Sequence, residues 1–153
     1  MRHLLLIGVV AWLGVMLAAA QDDPTAVSDR EAITQTTLDY LEGWYDGNAE
    51  RMARALHPAL VKRGLIRFKQ TGRMVLNPIN AEMMIELSRA GLGKLPPEER
   101  KISLSLLDIT GDIASVKATS AKFIDYVHLA RQEGRWRIVN VLWVPNDAPP
   151  PKQ

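Results

Sequence analysis

An α+β fold, with helices from the front of the chain packed on one face of a later antiparallel sheet, follows from three observations. Two N-cap signatures open segments of helical spacing between Ser28 and Leu56, and a third lies between Asn77 and Gly91. After Pro96-Pro97 the apolar residues switch to alternation, with turn signals at Thr110-Gly111-Asp112 and Gln132-Glu133-Gly134. No internal repeat or second linker interrupts this order, so a single domain is expected over residues 27–145.

The elements follow in order. Ser28-Asp29-Arg30-Glu31 fits a capping box, in which the serine oxygen takes the Glu31 amide and the glutamate reaches back, worth about 1 kcal/mol. Ile33, Thr37, Tyr40, Leu41 and Trp44 then fall on one helical stripe, and Asp46-Gly47 ends it. Tyr45 lies off the centre of that stripe and is expected to be partly exposed. Asn48 caps a shorter helix that buries Met52, Ala55 and Leu56 and stops before Pro58. LVKRGLIRF and RMVL are strand-like pieces around the turn Gln70-Thr71-Gly72. Asn77-Pro78 predicts the start of a third helix, with Ile79, Met83, Leu87 and Ala90 as its buried stripe and Gly91 as its stop. KISLSLLDI alternates Ile102, Leu104 and Leu106 with polar residues, IASVKATS places Ala114, Val116 and Ala118 on one face, and FIDYVHLARQEGRWRIVNVLWV reads as a closing hairpin.

The two ends read differently. Met1, Arg2 and His3 precede an uncharged apolar run from Leu4 to Ala20 that closes on three alanines, the pattern of a signal peptide (residues 1–20) cut at Ala20/Gln21. A secreted or periplasmic location is therefore expected, with no membrane attachment after cleavage; an uncleaved anchor is the rival reading. Residues 146–153, with three consecutive prolines, are expected to form a disordered tail. Of 19 Lys and Arg against 17 Asp and Glu, only Arg2 lies in the leader, so the mature domain is close to neutral. Its cations are scattered singly, which argues against nucleic acid as a partner. With no cysteine, no disulfide braces the exported domain and no lipid can be attached to a thiol. His57 and His128 are the mature chain's histidines, and neither HExxH nor a paired-carboxylate spacing accompanies them, so no metal is expected; no glycine-rich phosphate loop or GxSxG implies a cofactor or acyl transfer.

The order of elements, together with YLEGWYDGN, LHPALVKR, TGDIASVKAT and FIDYVHLARQEGRWRIVNVLW, resembles the nuclear transport factor 2-like (NTF2-like) superfamily from Ser28 to Val144, and within it the SnoaL-like branch described as "putative lumazine-binding". The resemblance implies a cone-shaped α+β barrel, in which a curved sheet wraps the first helix and leaves a pocket at its open end. Relatives of this kind include isomerases, dehydratases, non-catalytic ligand binders and interaction modules, so the fold alone does not choose a function.

The closing hairpin carries the candidate site. If its loop is Gln132 to Gly134, Ala130 faces Trp136, His128 faces Ile138 and Tyr126 faces Asn140. One face then carries Tyr126, His128, Trp136 and Asn140, a mixed lining of the sort small-molecule pockets use. Tyr40 and Trp44 would form the pocket floor. The opposite face, with Phe123, Asp125, Val127, Leu129, Val139, Val141 and Trp143, is as apolar as a core apart from Asp125 and Arg137, and is expected to meet a second copy in a homodimer through the outer side of the sheet. An imidazole at His128 can move a proton near neutral pH, Tyr126 or Asn140 can hold a developing oxyanion, and Asp125 can act as a base if it turns inward against Phe123 and Trp143. The plainer readings are a hydrogen-bonded His and Tyr, an Asp125 neutralised by Arg137 or a helix cation, and a His57 that caps its turn. Three functions follow: an exported binder of an unidentified small molecule, a lyase or isomerase with a His128/Asp125 proton-transfer site, or a protein-interaction module.

Overall fold

The computed structural model describes residues 27–146; the expected leader and all but the first residue of the expected tail lie outside them. Helix α1 runs from Asp29 to Asp46 behind the complete Ser28/Glu31 capping box, and ends at Gly47, whose φ of 67° suits a residue without a side chain. Its buried residues include Ile33, Thr37, Tyr40 and Leu41, as its periodicity predicts. Tyr45 departs from expectation. It is 1% exposed, because its hydroxyl donates to Ser120 Oγ at 2.8 Å and so has a buried partner. Asn48 caps α2, Ala49–Ala55, which buries Met52 and Ala55.

Six strands follow in the spatial order β2-β1-β6-β5-β4-β3. They are β1 (Leu56–Arg67), β2 (Met74–Asn80), β3 (Ser103–Thr110), β4 (Ile113–Thr119), β5 (Phe123–Gln132) and β6 (Arg135–Pro145). Neighbours pair antiparallel except β1 and β6, which run parallel. The cone-shaped α+β architecture therefore stands, but its sheet is mixed and unclosed rather than antiparallel throughout, because β1 leaves α2 at the far side of the cone and aligns beside the last strand. Register breaks between Leu56 and Val61, between Leu106 and Asp108, and between His128 and Leu129 bend it around α1.

The third helix, α3, spans Ala81–Arg89. Its start is three residues later than the Asn77-Pro78 signal suggests, since those residues remain in the edge strand β2, where a proline costs no ladder bond on its free side. Asn80 is the cap and accepts the Met83 amide; Ala81, Met84 and Ser88 are buried, whereas Met83 is exposed.

The hairpin register also corrects an expectation. Gln132 pairs with Arg135 and Arg131 with Trp136, leaving a two-residue turn, Glu133-Gly134, both at positive φ. Val139 is bulged out, so His128 faces Asn140 and Asp125 faces Trp143. One residue fewer in the loop moves Trp136 and Ile138 to the face of Leu129, and the bulge returns Asn140 and Leu142 to that of His128. The face carrying Asp125, Val127, Leu129, Ile138 and Val141 turns in against the helices, and the one carrying Tyr126, His128 and Leu142 turns out.

Candidate functional site

Between α1, α3 and the concave side of the sheet lies a cavity of about 170 Å³. Helix α1 contributes Tyr40, Leu41, Trp44 and Tyr45, two adjacent pairs one helical turn apart. Met84 and Leu87 of α3 close one side with Ile79 of β2, and the sheet supplies Lys62, Phe123, Asp125 and Trp143. The walls are aromatic and aliphatic, and the ionisable groups at the base form one linked set.

That set is Lys62, Asp125 and Tyr40. Lys62 Nζ lies 2.9 Å from Asp125 Oδ1, with side-chain exposures of 8% and 1%. The Tyr40 hydroxyl donates to the same Oδ1 at 3.0 Å and accepts from Lys62 Nζ. Removing two charges from water is expensive, and the short pairing with its extra hydrogen bond offsets that cost. Three rings add to it: the Lys62 ammonium sits 5.0 Å from the Tyr40 centroid, 5.1 Å from Trp143 and 5.9 Å from Phe123. Burial still holds the Lys62 ammonium below the ordinary lysine range, since desolvation outweighs the pull of Asp125. Tyr40 moves the opposite way: burial first, then the Asp125 charge, push its hydroxyl well above the usual phenol range.

The aromatic walls are fixed from outside. Phe123 stands edge-on to Trp143, with centroids 5.1 Å apart, and to Trp44 at 6.5 Å. Ser120 Oγ, held by Tyr45, contacts the Phe123 carbonyl at 3.2 Å and so anchors the start of β5. Gly64 makes room for Trp143 across the β1–β6 pairing, since a Cβ there would stand 2.4 Å from the indole. Gly93 does the same for Trp44 at 2.3 Å.

Three buried polar side-chain atoms have no protein partner among the described residues: Trp44 Nε1, Trp143 Nε1 and Asp125 Oδ2. All three belong to residues that line the cavity. A buried polar atom without a partner costs about 1–3 kcal/mol, and the two indole nitrogens lie on the ring edges that pack against Gly93 and Gly64.

Of the residues singled out from the sequence, Tyr40, Trp44 and Asp125 meet at this cavity. Tyr126, His128 and Asn140 do not; they sit on the outer side of the sheet. There His128 Nδ1 pairs with Asn140 Nδ2 at 3.1 Å, and Asn140 Oδ1 accepts from Arg63 at 3.0 Å, a satisfied surface chain of hydrogen bonds. Tyr126 is 46% exposed. Trp136 is buried beside the N-terminus of α1, its indole N–H donating to Asp29 Oδ1 at 2.9 Å, also away from the cavity. The partner of Asp125 is Lys62 rather than Arg137. His57 binds the Ala59 amide through Nδ1 and Gln132 through Nε2, which makes it a turn cap. Lys62 escaped the sequence reading, because Val61 and Leu65 offer β1 an apolar phase as convincing as the true inward one, Leu60, Lys62 and Gly64.

Helices set across the concave side of an unclosed curved sheet, with a hollow between them, define the NTF2-like class, and solved structures of that class superimpose on this chain. An NTF2-like protein of unknown function from Silicibacter pomeroyi matches with a TM-score of 0.61 at 18% identity, covering 75% of this chain and 93% of its own. One from Methylobacillus flagellatus gives 0.59 at 21% identity over 80% and 96%, and a ketosteroid isomerase-like protein from Erwinia carotovora gives 0.52 at 12% over 76% and 95%. The family profile described as "Putative lumazine-binding" matches residues 28–144, and the chain belongs to that family. No curated protein sequence matches it significantly.

Proposed function

We propose that this protein is an exported small-molecule binder, and that its ligand is a neutral, planar molecule of one or two rings carrying both hydrogen-bond acceptor and donor groups. The observation that carries the reading is an apolar cavity of which three lining residues, Trp44, Trp143 and Asp125, each keep one buried polar atom without a partner. The size fits: an engineered protein cavity of about 150 Å³ takes up benzene. The charge fits as well, because Lys62 and Asp125 neutralise each other and leave no net charge to attract an ion. Flat rings stack against Trp44, Phe123 and Trp143, an acceptor on the ligand takes an indole N–H, and a donor meets Asp125 Oδ2. Lumazine, from the family's description, is a two-ring dione with ring N–H groups and falls inside this class.

The test is a thermal-shift screen of small neutral heteroaromatics, lumazine included, alongside native mass spectrometry of protein isolated from its own host. A true ligand at a hundredfold excess over its Kd adds about 2.7 kcal/mol of stability. If no compound raises Tm and the host-derived protein carries nothing, the reading fails.

One observation favours a second reading, proton transfer. Asp125 lines the hollow with Oδ2 unpartnered while Lys62 and Tyr40 hold Oδ1, which leaves one carboxylate oxygen available as a base. Deuterium exchange from solvent into a bound compound, lost in Asp125→Asn, distinguishes this reading from binding alone.

A further inference from the structure

We propose that Lys62 is a carbonyl-capturing residue that condenses with a small aromatic aldehyde seated in the cavity to form a protonated Schiff base. This rests on the cavity being a ligand site and adds a covalent activity to it.

A lysine ammonium has three N–H groups, and the structure pairs two of them, one with Asp125 Oδ1 and one with the Tyr40 hydroxyl. The third position is where a C=N bond would stand. An iminium nitrogen keeps the positive charge of the ammonium and one N–H, so it retains the ion pair with Asp125 Oδ1 and the surrounding ring faces while giving up the bond to Tyr40. The Asp125 carboxylate at 2.9 Å serves as counter-ion, and the faces of Tyr40, Trp143 and Phe123 stand within 6 Å of the cation. The apolar walls keep bulk water away, which favours condensation over hydrolysis. Burial also holds the ammonium below the ordinary lysine range, which raises the share of free amine available to attack.

The step balances without an outside reagent. The ammonium passes one proton to Asp125 Oδ1, its hydrogen-bond partner at 2.9 Å. The free amine forms a C–N bond to the carbonyl carbon while the C=O π bond opens, and the Tyr40 hydroxyl lies beside Nζ to support the carbinolamine oxygen. That oxygen takes up the Asp125 proton to become a hydroxyl, then a second proton passed from the carbinolamine nitrogen through the same carboxylate, and leaves as water as the C=N bond forms. In sum, an aldehyde and an ammonium give a protonated imine and water.

The experiment uses benzaldehyde, whose single ring suits the cavity, with cyanoborohydride to fix the imine. Intact-mass and peptide mapping should show one benzyl group per chain, on Lys62, ahead of exposed lysines such as Lys69 and Lys101. Lys62→Arg keeps the charge but cannot form the imine, and should lose that adduct while retaining its fold. Labelling confined to exposed lysines, or persisting unchanged in Lys62→Arg, overturns the proposal. Thermal shift by benzaldehyde without reductant separates the two levels. Stabilisation without a Lys62 adduct removes the covalent step and leaves the binding site, whereas neither stabilisation nor adduct removes the covalent step and counts against the site as well.

Discussion

Lys62 and Asp125 hold each other in place at the bottom of the cavity, and each is costly without the other. Replacing Asp125 by Asn or Lys62 by Met removes one charge from a buried pair and is expected to cost about 3–5 kcal/mol, while the double replacement, which leaves no lone ion, should cost less than the two single ones together. Urea unfolding of the four proteins checks this; additive losses would mean that the pair is not coupled. Alkaline pH separates the third member. Between the lowered pKa of Lys62 and the roughly 10.4 of an unfolded lysine, the unfolded chain binds more protons, so this group makes stability rise with pH. Above about pH 10 an unfolded tyrosine ionises while Tyr40 stays protonated, so the unfolded chain binds fewer protons and stability falls. Tyr40→Phe should lose the fall and keep the rise; parallel curves from urea midpoints at pH 9 to 11 would contradict it. Asp125 and Tyr40 can be singled out from the sequence because each breaks or extends a clear periodic stripe. Lys62 cannot, because a lysine in a strand of equivocal phase looks like any solvated cation until the neighbouring strands fix which way it points.

Periodicity specifies the long elements well and their junctions poorly. Helix α1 carries five stripe residues and a capping box that all agree, so its span and buried side can be read directly. The start of α3 was misplaced because Asn77-Pro78 satisfies a local helix-start rule, while pairing of β2 with β1 through Asn80 overrides it. Which hairpin residues share a face depends on the parity of the loop, and Gln132-Glu133-Gly134 gives no local means to tell two turn residues from three. The bulge at Val139 is equally silent in the sequence. The strand pairing yields its own prediction. Gly64 lies where β1 and β6 bring Trp143 closest, so Gly64→Ala would force the indole out of position. We expect a loss of about 1–3 kcal/mol together with loss of ligand affinity, measured by urea unfolding and by titration of tryptophan fluorescence. Wild-type affinity in a destabilised Gly64→Ala would separate Trp143 from the binding site.

Residues 27–146 form a bent sheet with one side filled by helices and the other uncovered by any described residue. Tyr126 and Leu142, each 46% exposed and paired across the hairpin, lie on that uncovered side beside Arg63 and Lys117. We propose that this surface joins two copies in a homodimer. Sedimentation should give a dimer for the wild type and a monomer for Tyr126→Glu with Leu142→Glu; a monomeric wild type contradicts the proposal. Export is proposed on the leader, and intact mass of protein from the host should begin at Gln21. The central claim concerns the concave side, and the indole N–H signals in a ¹⁵N correlation spectrum test it most directly. On titration with a stabilising compound, the Trp44 and Trp143 signals should move while that of Trp136, already bonded to Asp29, stays in place. If the first two remain still as the compound binds, the cavity is not the site and the account is wrong.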